Sequence, residues 1–163
     1  MSGNKKIYYI GVIGERFCSK ELCEIAVEVG RLIANEGWVL VCGGMGGIME
    51  KACYGAFINK GTTIGILPEN TRENGNPYLS FSIVTGLGET RNSIVVRSCD
   101  AVISIGGSYG TLSEIAFANL FGIPVVGIKT WKLTIGDKEK KLFIKEVQTA
   151  EEVISHVKRI LKE

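Results

Sequence analysis

Short apolar runs alternate along the chain with longer stretches whose apolar positions recur every third or fourth residue. Ile7–Ile13 is β-branched and aromatic and reads as a buried strand. Gly14 opens a loop and Ser19 is placed to cap a helix. Leu22, Ile25, Ala26, Val29, Leu32 and Ile33 then recur at helical spacing until Gly37. Trp38–Val41 repeats the strand signature and leads into a helix over roughly Ile48–Asn59. Thr62–Leu67, Phe81–Val84, Asp100–Ile105 and Val125–Ile128 supply four further strands. Helices are predicted over about Glu89–Ser98 and Leu112–Phe121, the second stopped by Gly122 and Pro124. Thr149 and Glu152 make a capping box ahead of a last helix with its stripe at Val153, Val157, Ile160 and Leu161.

Two segments escape this alternation. Pro68–Ser80 holds two of the three prolines and reads as a flap or an oligomer contact. Residues 129–148 are Lys-rich and mixed, with a hairpin signal at Gly136-Asp137. Strand and helix otherwise alternate six times. That predicts an α/β fold with a doubly wound, mainly parallel sheet of six to seven strands, in a single domain over residues 1–163. In such sheets ligands bind at the C-terminal strand ends, where the winding direction switches.

Composition narrows the classes. With 45% apolar and 22% charged residues the chain is neither disordered nor fibrous. A net charge of +2 gives no electrostatic footprint for nucleic acid. No apolar run is long enough to cross a bilayer and no leader follows Met1–Lys6, so the expectation is a cytoplasmic protein without a membrane partner. Five cysteines, at 18, 23, 42, 53 and 99, show no C-x2-C spacing and read as reduced thiols. A single histidine, His156, rules out a multi-His metal site, and no metal is expected.

The outlier is 21 Gly in 163 residues, about 13% against an average of about 7%. They cluster after strands. Gly43, Gly44, Met45, Gly46 and Gly47 join the second strand to a helix, and Gly107, Ser108, Tyr109, Gly110 and Thr111 join the fifth strand to the next. Glycine admits close backbone approach, and the helix behind such a loop directs free N–H groups at an anion. These ten residues are candidate phosphate contacts. The ordinary nucleotide fingerprints G-x-G-x-x-G and G-x-x-x-x-G-K-[ST] are absent.

Gly107-Ser108-Tyr109-Gly110-Thr111-Leu112-Ser113-Glu114 resembles the P-G-G-x-G-T-x-x-E motif of the LOG-type phosphoribohydrolases, once labelled lysine decarboxylases. Cys42–Met49 resembles their G-G-G-x-x-G-L-M segment, and Arg91 falls on the arginine of their E-R-K segment, with Asn92 in place of the lysine. Gly37-Trp38, Gly61–Pro68 and Ile83–Gly88 are more similar to the molybdenum-cofactor carrier-like branch. The resemblance covers residues 7–128. It implies a Rossmann-like fold and a homo-oligomer, dimer or tetramer. It also implies a phosphorylated small-molecule ligand, either the molybdenum cofactor carried as cargo or a nucleoside 5′-monophosphate cleaved to base and ribose 5-phosphate. No other cofactor is required.

Glu114 and Arg91 are the residues that would catalyse if the chain is an enzyme. A carboxylate can stabilise a developing sugar cation or activate water, and an arginine can clamp phosphate. The alternative for Glu114 is structural, because Thr111-x-x-Glu114 also spells a capping box. Arg91 stands near a helix start, where a cation opposes the dipole and so calls for a compensating anion.

Overall fold

The computed structural model describes residues 6–135, 138–141 and 143–162. Seven strands form one parallel sheet: β1 (Tyr9–Gly14), β2 (Val39–Cys42), β3 (Thr62–Leu67), β4 (Phe81–Val84), β5 (Ala101–Ile105), β6 (Val125–Ile128) and β9 (Ile144–Glu146). Their spatial order is β4-β3-β2-β1-β5-β6-β9. Successive crossovers run outward from β1 in one direction as far as β4, and then in the other from β5, so the winding reverses between β1 and β5. A separate antiparallel pair, β7 (Thr134–Ile135) with β8 (Lys138–Lys141), flanks the expected hairpin turn; Gly136 and Asp137 themselves lie outside the described residues.

Five helices cover the two faces. On one side lie α1 (Lys20–Asn35), α2 (Ile48–Ile58) and α5 (Ala150–Leu161), sharing a core with Ile10, Val12, Leu40 and Ile103. On the other, α3 (Asn92–Arg97) and α4 (Tyr109–Phe121) pack on Ile13, Val41, Ile66 and Val102. Strands buried on both faces account for the near-continuous apolar runs in the sequence. The α1–α2 contact is close: a Cβ on Gly30 would stand 1.9 Å from the Ala52 carbonyl oxygen, so only glycine lets α2 reach its place beside β1. Among the described residues no helix is long and apolar enough to cross a membrane.

Three local expectations are corrected. The segment Pro68–Ser80 does not stand off as a flap. Asn76 donates its backbone N–H to the Gly44 carbonyl at 2.9 Å and its side-chain Nδ2 to the Met45 carbonyl at 3.2 Å, and Tyr78 packs against Tyr54 and Phe57. Cys18 and Cys23 are not free thiols. The turn into α1 brings their Cα atoms to 5.7 Å and they form a disulfide, while Cys42, Cys53 and Cys99 are free and buried. The predicted helix Glu89–Ser98 is a 3-10 turn over Gly88–Arg91 followed by the shorter α3.

Candidate functional site

A crevice of about 650 Å³ opens at the C-terminal ends of β1 and β5, the point where the winding reverses. Gly14 and the loop Glu15–Phe17 form one side, and Ser108–Thr111 with Ser113 and Glu114 of α4 form the other. Glu89, Arg91 and Asn92 close one end, and Met49 reaches in from α2.

The helix behind the fifth strand begins earlier than the apolar pattern predicts. α4 starts at Tyr109 with Ser108 as its N-cap. The Ser108 N–H donates to Thr111 Oγ1 at 3.2 Å, and the two hydroxyls lie 3.4 Å apart. The reciprocal pair is therefore Ser108 with Thr111, and the expected pairing of Thr111 with Glu114 is not the cap. Glu114 stands one and a half turns inside the helix and is 6% exposed. Burial pushes its carboxyl up to about 8, partly opposed by the positive charge of Arg91 and reinforced by Glu89. A carboxyl in that range carries a proton at neutral pH and can give it up or take it back.

Arg91 belongs to the same crevice, although its side chain is only 4% exposed. Its Nε donates to the Ile66 carbonyl at 2.8 Å and its Nη2 to the Gly43 carbonyl at 3.3 Å, and its Nη1 donates to Asn92 Oδ1. The first two acceptors are carbonyls at the ends of β3 and β2, so the sheet itself supplies counter-dipoles for the buried cation. Asn92, where the resembling family has lysine, donates to Ser113 Oγ at 2.9 Å and ties the turn to α4.

The two glycine loops do different work. The first turn of α4 faces the crevice. The start of α2 does not stand free: the Ile48 N–H donates to the Glu15 carbonyl at 3.0 Å, and Gly47, at φ +66°, passes so near that a Cβ would lie 2.3 Å from the same oxygen. Gly43, Gly44, Met45, Gly46 and Gly47 are not among the described lining of the crevice. Gly43 contributes indirectly, since a Cβ there would stand 2.7 Å from Arg91 Nη2. Met45 packs against the α1/α2 core, and Met49 is the methionine in the crevice wall. Gly107 lies in a neighbouring hollow with Trp131, whose indole N–H donates to the Ser108 carbonyl at 3.1 Å. The Tyr109 ring, 84% exposed, sits 6.1 Å from the Trp131 ring.

The structure thus brings Arg91, Ser108, Tyr109, Gly110, Thr111 and Glu114 together and adds Glu15, Arg16, Phe17, Glu89, Asn92 and Ser113. Of the added residues, Glu15, Arg16 and Phe17 follow β1, Glu89 precedes α3, Asn92 opens α3 and Ser113 lies on α4. One signal for the first group stands in the sequence: a loop after the first strand of a doubly wound sheet borders the switch point by construction.

The SLOG cluster4 family model matches residues 7–160. The chain belongs to the SLOG cluster4 family. This SLOG cluster4 chain is similar in structure to the molybdenum cofactor binding protein from the phototrophic bacterium Rippkaea orientalis, with a TM-score of 0.85, 36% identity and coverage of 96% of this chain and 98% of that one. It is likewise similar to the Moco carrier protein from Chlamydomonas reinhardtii, with a TM-score of 0.84, 31% identity and coverage of 96% and 99%. In sequence it is 34% identical over 126 residues to the cytokinin riboside 5′-monophosphate phosphoribohydrolase of Mycobacterium tuberculosis, which spans 68% of this chain and 64% of that protein.

Proposed function

We propose that the crevice between β1 and β5 binds a phosphorylated, ring-bearing small molecule, and that this ligand is the pterin-type molybdenum cofactor, held as cargo. The observation that carries the reading is the joint placement of the α4 first turn and the buried Arg91 around one crevice at the switch point. The N–H groups of Tyr109 and Gly110, which the Ser108–Thr111 cap leaves open, and the positive end of the α4 dipole suit a phosphate. Phe17 and Tyr109, 92% and 84% exposed at the mouth, offer flat apolar faces to a fused ring. A volume of about 650 Å³ falls in the range of small-molecule sites. The similarity to a molybdenum cofactor binding protein and a Moco carrier protein over nearly the whole chain favours the pterin as the ring.

The test is direct. The protein is mixed with molybdenum cofactor released from a molybdoenzyme, passed through gel filtration, and assayed for pterin by fluorescence after oxidation. Saturable retention near one pterin per chain is expected, and a protein fraction free of pterin at micromolar concentration would overturn the reading.

A second reading is hydrolytic, and Glu114 favours it: a buried carboxyl titrating near neutrality beside an arginine suits acid-base work on an N-glycosidic bond. The 34% identity to a phosphoribohydrolase points the same way. A panel of nucleoside 5′-monophosphates scored for free base separates the two. Base released by the wild type and not by Glu114→Gln supports hydrolysis, and no release from either leaves the carrier.

In both readings the chain acts as a homo-oligomer, dimer or tetramer. Phe81 and Ile83 on the edge strand β4 and Phe57 and Ile58 on α2 are half or more exposed, the kind of apolar surface that assembly covers. A monomer mass in solution at micromolar concentration would refute this.

A further inference from the structure

A line of alternating charge crosses the crevice mouth. Arg16, from the loop after β1, donates Nη2 to Glu89 Oε1 at 3.0 Å. The other oxygen of the same carboxylate, Glu89 Oε2, lies 3.5 Å from Arg91 Nη1. One carboxylate is therefore shared between two guanidinium groups, each of which lines the crevice. Two arginines converging on paired oxygens is the geometry that recognises phosphate.

The three members differ in freedom. Arg91 is buried and held by two backbone carbonyls and Asn92, so its position is fixed. Glu89 and Arg16 have side chains 68% and 48% exposed, and an ion pair that open to water contributes little to stability. The carboxylate can leave at small cost. The charges of the crevice give it reason to do so when an anion arrives: among the described lining residues the cations are Arg16 and Arg91, and both already face Glu89. A phosphate entering with Glu89 in place would meet like charge without a free cation.

We propose that Glu89 is an internal stand-in for the ligand's phosphate and Arg16 the second arm of its clamp, the phosphate taking the place of the Glu89 carboxylate between Arg16 and Arg91. This rests on the reading that the crevice takes an anionic ligand. It adds a gate to that site: the ligand class is one whose phosphate outcompetes a carboxylate for two arginines, and an uncharged analogue gains nothing from the exchange.

Isothermal titration with adenosine 5′-monophosphate, and with adenosine as the uncharged control, tests the proposal on the full chain as wild type, Glu89→Gln and Arg16→Gln. Removing the competing carboxylate is expected to tighten the monophosphate by about fivefold, and removing the clamp arm to weaken it by a similar factor. Adenosine is expected to bind Glu89→Gln and the wild type alike. Binding by Glu89→Gln where the wild type shows none also supports the proposal. Unchanged or weaker monophosphate binding by Glu89→Gln, beside a wild type that binds, overturns the stand-in and leaves the anionic site standing. Equal gains for adenosine and its monophosphate overturn it too, because they report a generally looser crevice. Absence of monophosphate binding in all three proteins overturns this proposal, while pterin retention on gel filtration decides the anionic reading beneath it. Thermal midpoints of the variants within a few degrees of wild type show that the fold is intact.

Discussion

Replacing Glu114 with glutamine removes a carboxyl that folding drives far from its ordinary titration range. Burial lifts it from 4.5 to about 8 in spite of the Arg91 charge. Below pH 4.5 the folded and unfolded chains both carry the proton, and the group is neutral to stability. Between pH 4.5 and 8 the unfolded chain releases the proton while the folded chain keeps it. Wild-type stability therefore falls as pH rises through that window and levels off above the folded value. The rise from 4.5 to about 8 corresponds to about 5 kcal/mol as an upper figure. Glutamine does not titrate, and its amide fills nearly the same space. Urea unfolding of both proteins at unit steps from pH 4 to 9 reads the effect: Glu114→Gln is expected to gain on the wild type with each step up to pH 8. Parallel profiles, differing by less than about 1 kcal/mol across the range, would refute the claim that this carboxyl is desolvated.

Other consequences are local. Gly43→Ala puts a Cβ 2.7 Å from Arg91 Nη2 and 3.0 Å from Met49 Sδ, so a cost of about 1–3 kcal/mol and loss of monophosphate binding are expected; urea midpoints and titrations unchanged from wild type would contradict this. Reduction of Cys18–Cys23, closing a sequence separation of 5, is expected to cost about 2 kcal/mol by the loop-entropy relation, and equal midpoints with and without reductant would contradict it. Asn76→Ala breaks the link from Pro68–Ser80 to Met45, and limited proteolysis is expected to cut between Arg72 and Tyr78 faster than in the wild type.

The sheet was legible because parallel strands buried on both faces write themselves as apolar runs, and the glycines mark the ends where those runs turn into helices. Residues 144–146 pair as a seventh strand with only three residues, too short for any period, and a Lys-rich surround hides them. The start of α4 was misplaced because Tyr109 and Gly110 read as loop, yet Ser108 and Thr111 cap each other and carry the helix back over them. That shift moves Glu114 from a capping position into the crevice wall. The disulfide escaped because its spacing fits no metal or redox pattern and only the turn into α1 brings the thiols together. The pairing of Arg16 with Glu89 spans 73 residues, and no local signal in the sequence announces it.

In the proposed carrier, the first turn of α4 at the switch point takes the phosphate of the pterin. Gly110 offers the most direct test. A Cβ there meets only Ser108 Oγ at 3.7 Å and Asn92 Nδ2 at 4.0 Å, which are ordinary contacts, and Gly110 itself lines the crevice where a phosphate would approach the first turn of α4. The measurement is pterin retained after gel filtration by wild type and Gly110→Val, with thermal midpoints recorded beside it. Near one pterin per wild-type chain and almost none on the variant are expected, at similar midpoints. Equal retention by both, or none by the wild type, would contradict this.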